Sequence, residues 1–199
     1  MAILHKATLT PTKAELVAAW LPEQDWYDGA VPPRPRRVAT FRLDDPAGEV
    51  GLETLLVDTG DERLWQLAFS YRAEPLEGGA EHLVGTLEHS VLGTRYVYDA
   101  VGDPVYREVL RRTVVGAGRE ADLVRDLGDG TTEPVEKTMT VRGTGGEGVD
   151  VVLERLPQPV ADGDLEEGSA SCRAVRRSCS PAWCKSAGPR VASTLACGA

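Results

Sequence analysis

The sequence lacks any apolar run long enough to cross a bilayer, and it has no excess of basic residues. Its 199 residues carry 22 Lys and Arg against 31 Asp and Glu, a formal net charge of −9. Nucleic acids and anionic lipid surfaces both select basic surfaces, so this charge balance argues against either partner. The N-terminus has only a brief apolar start, which argues against a secretory signal. We therefore expect a cytoplasmic protein that binds neither nucleic acid nor membrane.

Cysteine is absent before Cys172, and the composition changes near Gly168. All four cysteines follow that point, together with five basic residues and no acidic residue. The cysteine spacings contain no C-x-x-C pair, so they do not favour a zinc site, and a disulfide framework conflicts with a cytoplasmic location. We interpret residues 160–199 as an irregular tail that is either disordered or translated out of frame after a frameshift near Glu167.

Motifs of phosphoryl transfer and nucleophilic catalysis are also missing from the sequence. It contains no His-Arg-Asp or His-Gly-Asp loop followed by Asn, and no Asp-Phe-Gly-like segment. The glycine-rich stretch GTGGEG at residues 143–148 lies between two strand-like segments, whereas a dinucleotide fingerprint precedes a helix. We expect a hairpin turn there, joining residues 136–143 to 149–156, and we expect no cofactor. Neither Ser70 nor Ser90 lies in a G-x-S-x-G motif.

Two segments have the start signals and periodicity of helices. In TPTKAELVAAWL, Thr10 is the predicted N-cap and Pro11 the first helical residue, and apolar residues recur at helical spacing before Pro22. In DPVYREVLRRTVVGAG, Asp103 is the predicted N-cap, with proline after it and glycine at the end. Both segments are therefore predicted to be helices.

Strand signals dominate the sequence between these two helices. Residues 37–43, 50–57 and 63–72 have strand-like patterns, and DTGD joins the last two as a hairpin. In residues 63–72, large apolar side chains alternate with smaller or polar ones, which predicts one strongly apolar face. The predicted fold class is α+β, with a mostly antiparallel curved sheet and one or two helices packed on it.

The stretch GTLEHSVLGTRYVYDAVGDPVY contains the first candidates for chemistry. Glu88 and His89 are adjacent, so on a strand they point to opposite faces and cannot form a dyad. His82 and His89 have no third ligand in register, so we expect no metal site. Glu88 and Asp99 are weak candidates for general acid–base catalysis if the chain reverses at Gly93. The alternatives for this stretch are a conformational or interface role and a purely structural role.

Several aromatic side chains and one histidine are candidates for an interface. Trp26 and Tyr27 lie in a Pro- and Gly-containing loop, where aromatic rings can bind a protein or stack on a sugar. Packing of Trp26 against the preceding helix is the alternative. Tyr96 and Tyr98 share one face of a predicted strand, and His89 precedes them. We therefore regard these five residues as a possible interface.

Four sequence blocks carry a family likeness: LTPTKAELVAAWLPEQDWYDG, FRLDDPAGEVGLETLLV, SYRAEPL and LVGTLEHSVLGTRYVYDAVGDPVY. Together they resemble the N-terminal cap region of actinobacterial maltokinases, and more closely the short free-standing proteins built from that cap. The resemblance covers residues 3–115, with a looser continuation over 116–156. It implies a cystatin-like curved sheet around a helix, and a role in maltose, trehalose, glycogen or other α-glucan metabolism.

In the full-length enzymes that the blocks resemble, the cap sits on the N-lobe of a kinase-like body that phosphorylates maltose to maltose 1-phosphate. We therefore predict one domain over residues 1–159 that acts as a non-catalytic module by binding a kinase lobe, an α-glucan or trehalose enzyme, or a carbohydrate. The alternatives are part of a maltokinase-type phosphotransferase, and a small carbohydrate-active enzyme that uses Glu88 and Asp99.

Overall fold

The fold is given by a computed structural model that describes residues 1–145, 150–157, 173–175 and 197–198. Within these ranges the α-helices are α1 (Lys13–Trp20) and α2 (Pro104–Val115). The strands are β1 (Ala2–His5), β2 (Leu9–Thr10), β3 (Arg36–Leu43), β4 (Gly51–Asp58), β5 (Leu64–Arg72), β6 (Leu83–His89), β7 (Gly93–Asp99), β8 (Leu123–Asp126), β9 (Thr132–Pro134), β10 (Thr140–Arg142), β11 (Asp150–Val151), β12 (Arg173–Val175) and β13 (Cys197–Gly198). Short 3₁₀ helices lie at Leu21–Glu23, Ala80–His82 and Ala100–Gly102.

The main sheet has six antiparallel strands in the order β2-β6-β7-β5-β4-β3 and is strongly curled. Strands β4 and β5 form the predicted hairpin, with Leu55 opposite Leu67. Strands β6 and β7 form a second hairpin, in which His89 lies opposite Gly93. Gly93 has a φ of +73°, a backbone conformation that glycine adopts without steric cost. The predicted α+β class with a curved antiparallel sheet is confirmed.

Strands β4 and β5 are buried on both faces of this sheet. On β4, Leu55 and Val57 belong to the apolar cluster that contains α1, whereas Leu52 and Leu56 belong to the cluster that contains α2. Because successive strand residues point to opposite faces, the two helices lie on opposite sides of the sheet. The alternation in β5 predicts a single apolar face, but Gln66 on the other face is also buried, because the cluster around α2 covers it.

The start of α1 differs from the prediction, whereas the start of α2 agrees with it. Thr10 is not an N-cap, because it belongs to β2 and pairs with Glu88. The helix begins instead after Thr12, whose hydroxyl accepts from the backbone N–H of Glu15 in a reciprocal capping box. Asp103 caps α2 as predicted, and its carboxylate accepts from the backbone N–H of Val105.

Among the described residues, the two strands predicted to form a hairpin across residues 143–148 do not pair with each other. Strand β10 pairs with β12, and β11 pairs with β13. The chain after β11 separates from β10 because Leu153 packs into the cluster around α2, while Leu156 packs against the cluster around α1. Residues 146–149 of the glycine-rich stretch lie outside the described residues.

The remaining described strands form a smaller sheet, in which β8 pairs in parallel with β1 and antiparallel with β9. Apart from β12 and β13, the tail predicted at residues 160–199 lies outside the described residues. No helix among the residues that the structure describes is long and apolar enough to cross a membrane.

Candidate binding site

A cleft of about 730 Å³ opens at one end of the main sheet. It lies where β3 and β5 end and where β4 and β7 begin, and β1 forms a further wall. Its lining combines apolar side chains with the basic residues Lys13, Arg42, Arg95 and Arg125. A cleft of this size and mixed lining is suited to a small organic ligand or to a projecting group of a partner.

A buried carboxylate, Glu53, lies behind the cleft wall in the middle of a polar network. Its side chain is 3% exposed and forms an ion pair with the ammonium group of Lys13. The hydroxyl of Tyr71 donates to Glu53 Oε2 at 2.9 Å, and the hydroxyl of Thr40 donates to Oε1 at 3.2 Å. Arg42 lies directly opposite Glu53 in the β3–β4 pairing, with its Nη2 3.7 Å from Oε2. The network therefore joins the first turn of α1 to three strands.

The ionisable groups in this network shift one another's pKa values. Burial by itself raises the pKa of Glu53, but the positive charges of Lys13 and Arg42 outweigh it and bring the pKa down to about 2. Burial also lowers the pKa of the Lys13 ammonium group, and the nearby Glu53 opposes that shift. Burial beside Glu53 raises the pKa of Tyr71 well above its ordinary value, so its hydroxyl stays a hydrogen-bond donor. Glu53 is thus a fixed anion held by two cations.

Two histidines, His5 and His89, line the cleft. The rings of His5 and His89 meet edge to face, with centroids 6.0 Å apart. Nδ1 of His89 accepts from the backbone N–H groups of Val91 and Leu92, so it shapes the turn between β6 and β7. Burial, with His5 and Arg95 nearby, lowers the pKa of His89. His89 was a predicted interface residue, and the structure places it at the cleft.

The structure does not bring the two catalytic candidates together. Glu88 is exposed and accepts from the Thr94 hydroxyl at 2.7 Å, whereas Asp99 is buried and paired with Arg155. Thr94 lies opposite Glu88 across the β6–β7 hairpin, five residues before Asp99. At about 3.3 Å per strand residue the two acids are separated by about 16 Å along the sheet. They also point to opposite faces, so they cannot act on one bond.

The four aromatic interface candidates lie away from the cleft. Trp26 packs between Trp20 and Trp65, with ring centroids 5.6 Å and 6.0 Å away, so the packing alternative describes its position. Tyr27 lies 4.7 Å from the ring of Trp65 and is also half-buried. Tyr98 is buried, and its hydroxyl accepts from the backbone N–H of Leu76, while Tyr96 is half-buried on the same face.

Sequence reasoning missed the residues at the centre of the network. Lys13, Arg42, Glu53 and Tyr71 are distributed over four different elements, so no local motif connects them. One signal was available, because Glu53 is the only charged residue within the mostly apolar strand segment LETLLV. Among the described residues, no three His, Cys, Asp or Glu side chains converge as metal ligands.

The fold and the cleft together define a small α+β domain, with a helix on each face of a curled sheet and a basic opening at one end. Residues 20–103 match the family model of the maltokinase N-terminal cap domain. The predicted family resemblance is confirmed over that range. A search of curated proteins finds no match.

Proposed function

We propose that this chain is a non-catalytic cap module that binds a kinase-like catalytic lobe in maltose, trehalose or other α-glucan metabolism in the cytoplasm. The observation that carries the proposal is the match to the maltokinase N-terminal cap domain over residues 20–103. The matched segment extends from the end of α1 through β3–β7 to the N-cap of α2, so it includes all but one strand of the main sheet.

The rim of the cleft supports binding to another protein. Four large apolar side chains are exposed at the start of the chain, on β1 and on the turn between β6 and β7: Met1, Ile3, Val91 and Leu92. Ile3 and Leu92 line the same cleft, so their exposed apolar surfaces lie close together. An apolar patch beside charged groups resembles the buried centre and polar rim of a protein interface.

The direct test combines the chain with a maltokinase catalytic lobe that lacks its own cap. Calorimetry should detect one-to-one binding with a dissociation constant of about 1 μM or tighter. Leu92→Asp should weaken binding at least about tenfold, because it introduces a charge into the apolar rim. Leu83→Asp is the matched control, since Leu83 has a similar exposure but lies at the opposite end of β6. No binding, or equal weakening by both variants, would contradict the proposal.

A second measurement separates a cap module from an enzyme. The isolated chain is incubated with Mg-ATP and maltose, and maltose 1-phosphate is measured by phosphorus NMR. We expect no product from the chain alone. Product formation by the isolated chain would favour the phosphotransferase alternative and overturn the non-catalytic assignment. Titration of the chain with maltose tests direct carbohydrate binding as the other mode of action.

A further inference from the structure

The charges that line the cleft differ in balance from those of the whole chain. Four basic side chains and two histidines face three acidic residues, although the chain has an acidic excess of nine. Two of the three acidic residues, Asp44 and Asp45, already have partners within the chain. Asp44 pairs with the terminal amine of Met1, and the Asp45 carboxylate accepts from three backbone N–H groups of its own turn. The cleft is therefore a basic concavity on an acidic protein.

Arg42 is the donor in this cleft with the most unused hydrogen-bonding capacity. Its side chain is 19% exposed, and among the described residues its guanidinium makes no hydrogen bond. The nearby carboxylate of Glu53 already accepts from Lys13, Tyr71 and Thr40 and lies 3.7 Å from Arg42 Nη2. A guanidinium has five N–H donors in a planar fork that matches two oxygens of a phosphate. Arg42 thus has donors available for an anion in the cleft.

Lys13 and Arg95 extend the positive charge along the cleft. Lys13 and Arg42 together contact a single carboxylate, so this pair of cations keeps a net positive charge beside Glu53. Arg95 is half-buried, and within the described part of the chain its guanidinium donates only to the backbone carbonyl of Thr94, at 3.1 Å. Arg125, by contrast, is paired with Glu133 at 2.6 Å.

The floor of the cleft has space for the uncharged part of a ligand. Gly51 lies opposite Tyr71 in the β4–β5 pairing and lines the cleft. A Cβ atom at this position would lie 3.5 Å from the Tyr71 side chain, in ordinary contact, so a larger residue fits the backbone but occupies the cleft. Leu9 and Leu87 provide apolar walls. At about 730 Å³ the space is in the range that encloses a small organic molecule.

From these observations we propose that the cleft binds the phosphate group of a small phosphorylated metabolite. Arg42 is the principal phosphate donor, Lys13 and Arg95 supply additional positive charge, and the apolar walls around Gly51 contact the rest of the molecule. The phosphate contacts use the basic side chains of the cleft, whereas the docking of a catalytic lobe uses the exposed apolar side chains at its rim. The two proposals are tested with different ligands, so either proposal can fail without the other.

The test titrates the isotope-labelled chain with glucose 1-phosphate, inorganic phosphate and maltose at matched ionic strength, and follows backbone amide shifts by NMR. We expect saturable shifts at Gly51 and Tyr71 with glucose 1-phosphate at concentrations below about 10 mM. Inorganic phosphate should bind more weakly at the same residues, and maltose should not bind there. No saturable shift with glucose 1-phosphate overturns the proposal, and equal affinity for inorganic phosphate overturns the assignment to an organic ester.

Two variants and one control test where the phosphate binds. Arg42→Gln should raise the dissociation constant about tenfold or more, because a charge-assisted hydrogen bond is lost. Gly51→Leu should abolish binding by filling the floor. Arg107→Gln on the exposed surface of α2 is the matched control and should leave the affinity unchanged.

Arg95→Gln provides a test outside the Glu53 network in case Arg42→Gln does not fold. It should raise the dissociation constant about threefold, because one nearby positive charge is removed. Unchanged affinity in folded Arg42→Gln or Arg95→Gln, or equal weakening in Arg107→Gln, overturns the assignment of the site.

Discussion

At the residue scale, Glu53 is the most consequential polar residue of the fold. It is a buried carboxylate on a central strand, and its two oxygens accept from groups on α1, β3 and β5. A buried charge is tolerated only when it is paired and hydrogen-bonded, which is the case here. Removing the charge would leave Lys13 in a half-buried position without its carboxylate partner.

We predict that Glu53→Gln lowers the free energy of unfolding at pH 7 by about 3 kcal/mol, because one partner of a buried ion pair is lost. Urea denaturation followed by tryptophan fluorescence measures this value. Glu77→Gln is the matched control, since Glu77 is exposed and should change stability by less than about 0.5 kcal/mol. A Glu53→Gln variant as stable as the control would contradict the role assigned to the network.

The same residue predicts a pH dependence. The pKa of Glu53 is about 2 in the folded chain against an ordinary value of 4.5. Because the folded value is the lower one, ionised Glu53 contributes stability above pH 4.5, and that contribution is lost as pH falls towards 2. The stability difference between the unaltered chain and Glu53→Gln should therefore shrink by more than half between pH 6 and pH 3. A pH-independent difference would show that Glu53 acts through packing instead of charge.

At the element scale, Asp103 connects the end of β5 to the start of α2. Its fully buried carboxylate receives two hydrogen bonds of 2.7 Å from Arg72 and one of 2.9 Å from the backbone N–H of Val105. A single side chain therefore caps the helix and fixes it against the sheet.

We predict that Asp103→Ala lowers the free energy of unfolding by about 3 kcal/mol, because it removes both the helix cap and the partner of Arg72. Asp103→Asn keeps a capping oxygen but removes the negative charge, so its effect should be smaller. Chemical denaturation of the two variants in parallel measures the difference. If the two substitutions cost the same, the capping bond contributes nothing measurable.

A second contact at this scale depends on a missing side chain. Gly143 packs against the C-terminal turn of α2, where a Cβ atom would lie 2.0 Å from the backbone carbonyl oxygen of Thr113. We predict that Gly143→Ala destabilises the fold by about 2 kcal/mol, because helix backbone cannot move aside cheaply. Gly118→Ala is a graded control, since its Cβ would lie 3.2 Å from the same oxygen. Equal melting temperatures for the two variants would contradict the close approach.

At the scale of the whole molecule, the core consists of two apolar clusters, one on each face of the main sheet. The cluster around α1 uses mainly residues before position 103, whereas the cluster around α2 needs Tyr106, Leu110, Val114 and Leu153. Residues 20–103, which match the family model, therefore do not include the residues of α2 and Leu153 that bury the second face of the sheet.

We predict that a chain shortened to residues 1–157 still unfolds cooperatively, consistent with a single domain over residues 1–159. A chain ending at residue 103 should not, because one face of the sheet then loses α2. Circular dichroism during urea titration distinguishes the two lengths. Cooperative unfolding of the 1–103 chain would show that the domain is smaller than we propose, and failure of the 1–157 chain would show that the later residues are required.

The sequence could predict the elements whose signals are local. Asp103 followed by Pro104 marks the start of α2, and the DTGD turn between two apolar segments marks the β4–β5 hairpin. The prediction was wrong where two nearby residues both fit the same structural role. Thr10 and Thr12 both suit a helix cap, and only the pairing of Thr10 with Glu88 decides which one acts. The prediction of a hairpin after β10 was wrong for a related reason. Leu153 and Leu156 pack with core residues that are far from them in the sequence.

The sequence by itself determined the α+β class, the hairpins around the centre of the sheet and the resemblance of residues 20–103 to the cap domain, because periodicity, caps and turns act between near neighbours. Only the tertiary structure decided that β4 and β5 are buried on both faces and that the basic cleft exists. Lys13, Arg42, Glu53 and Tyr71 meet because the sheet curls and α1 lies across it. Such contacts depend on strand register and helix placement, which connect residues that are far apart in the chain.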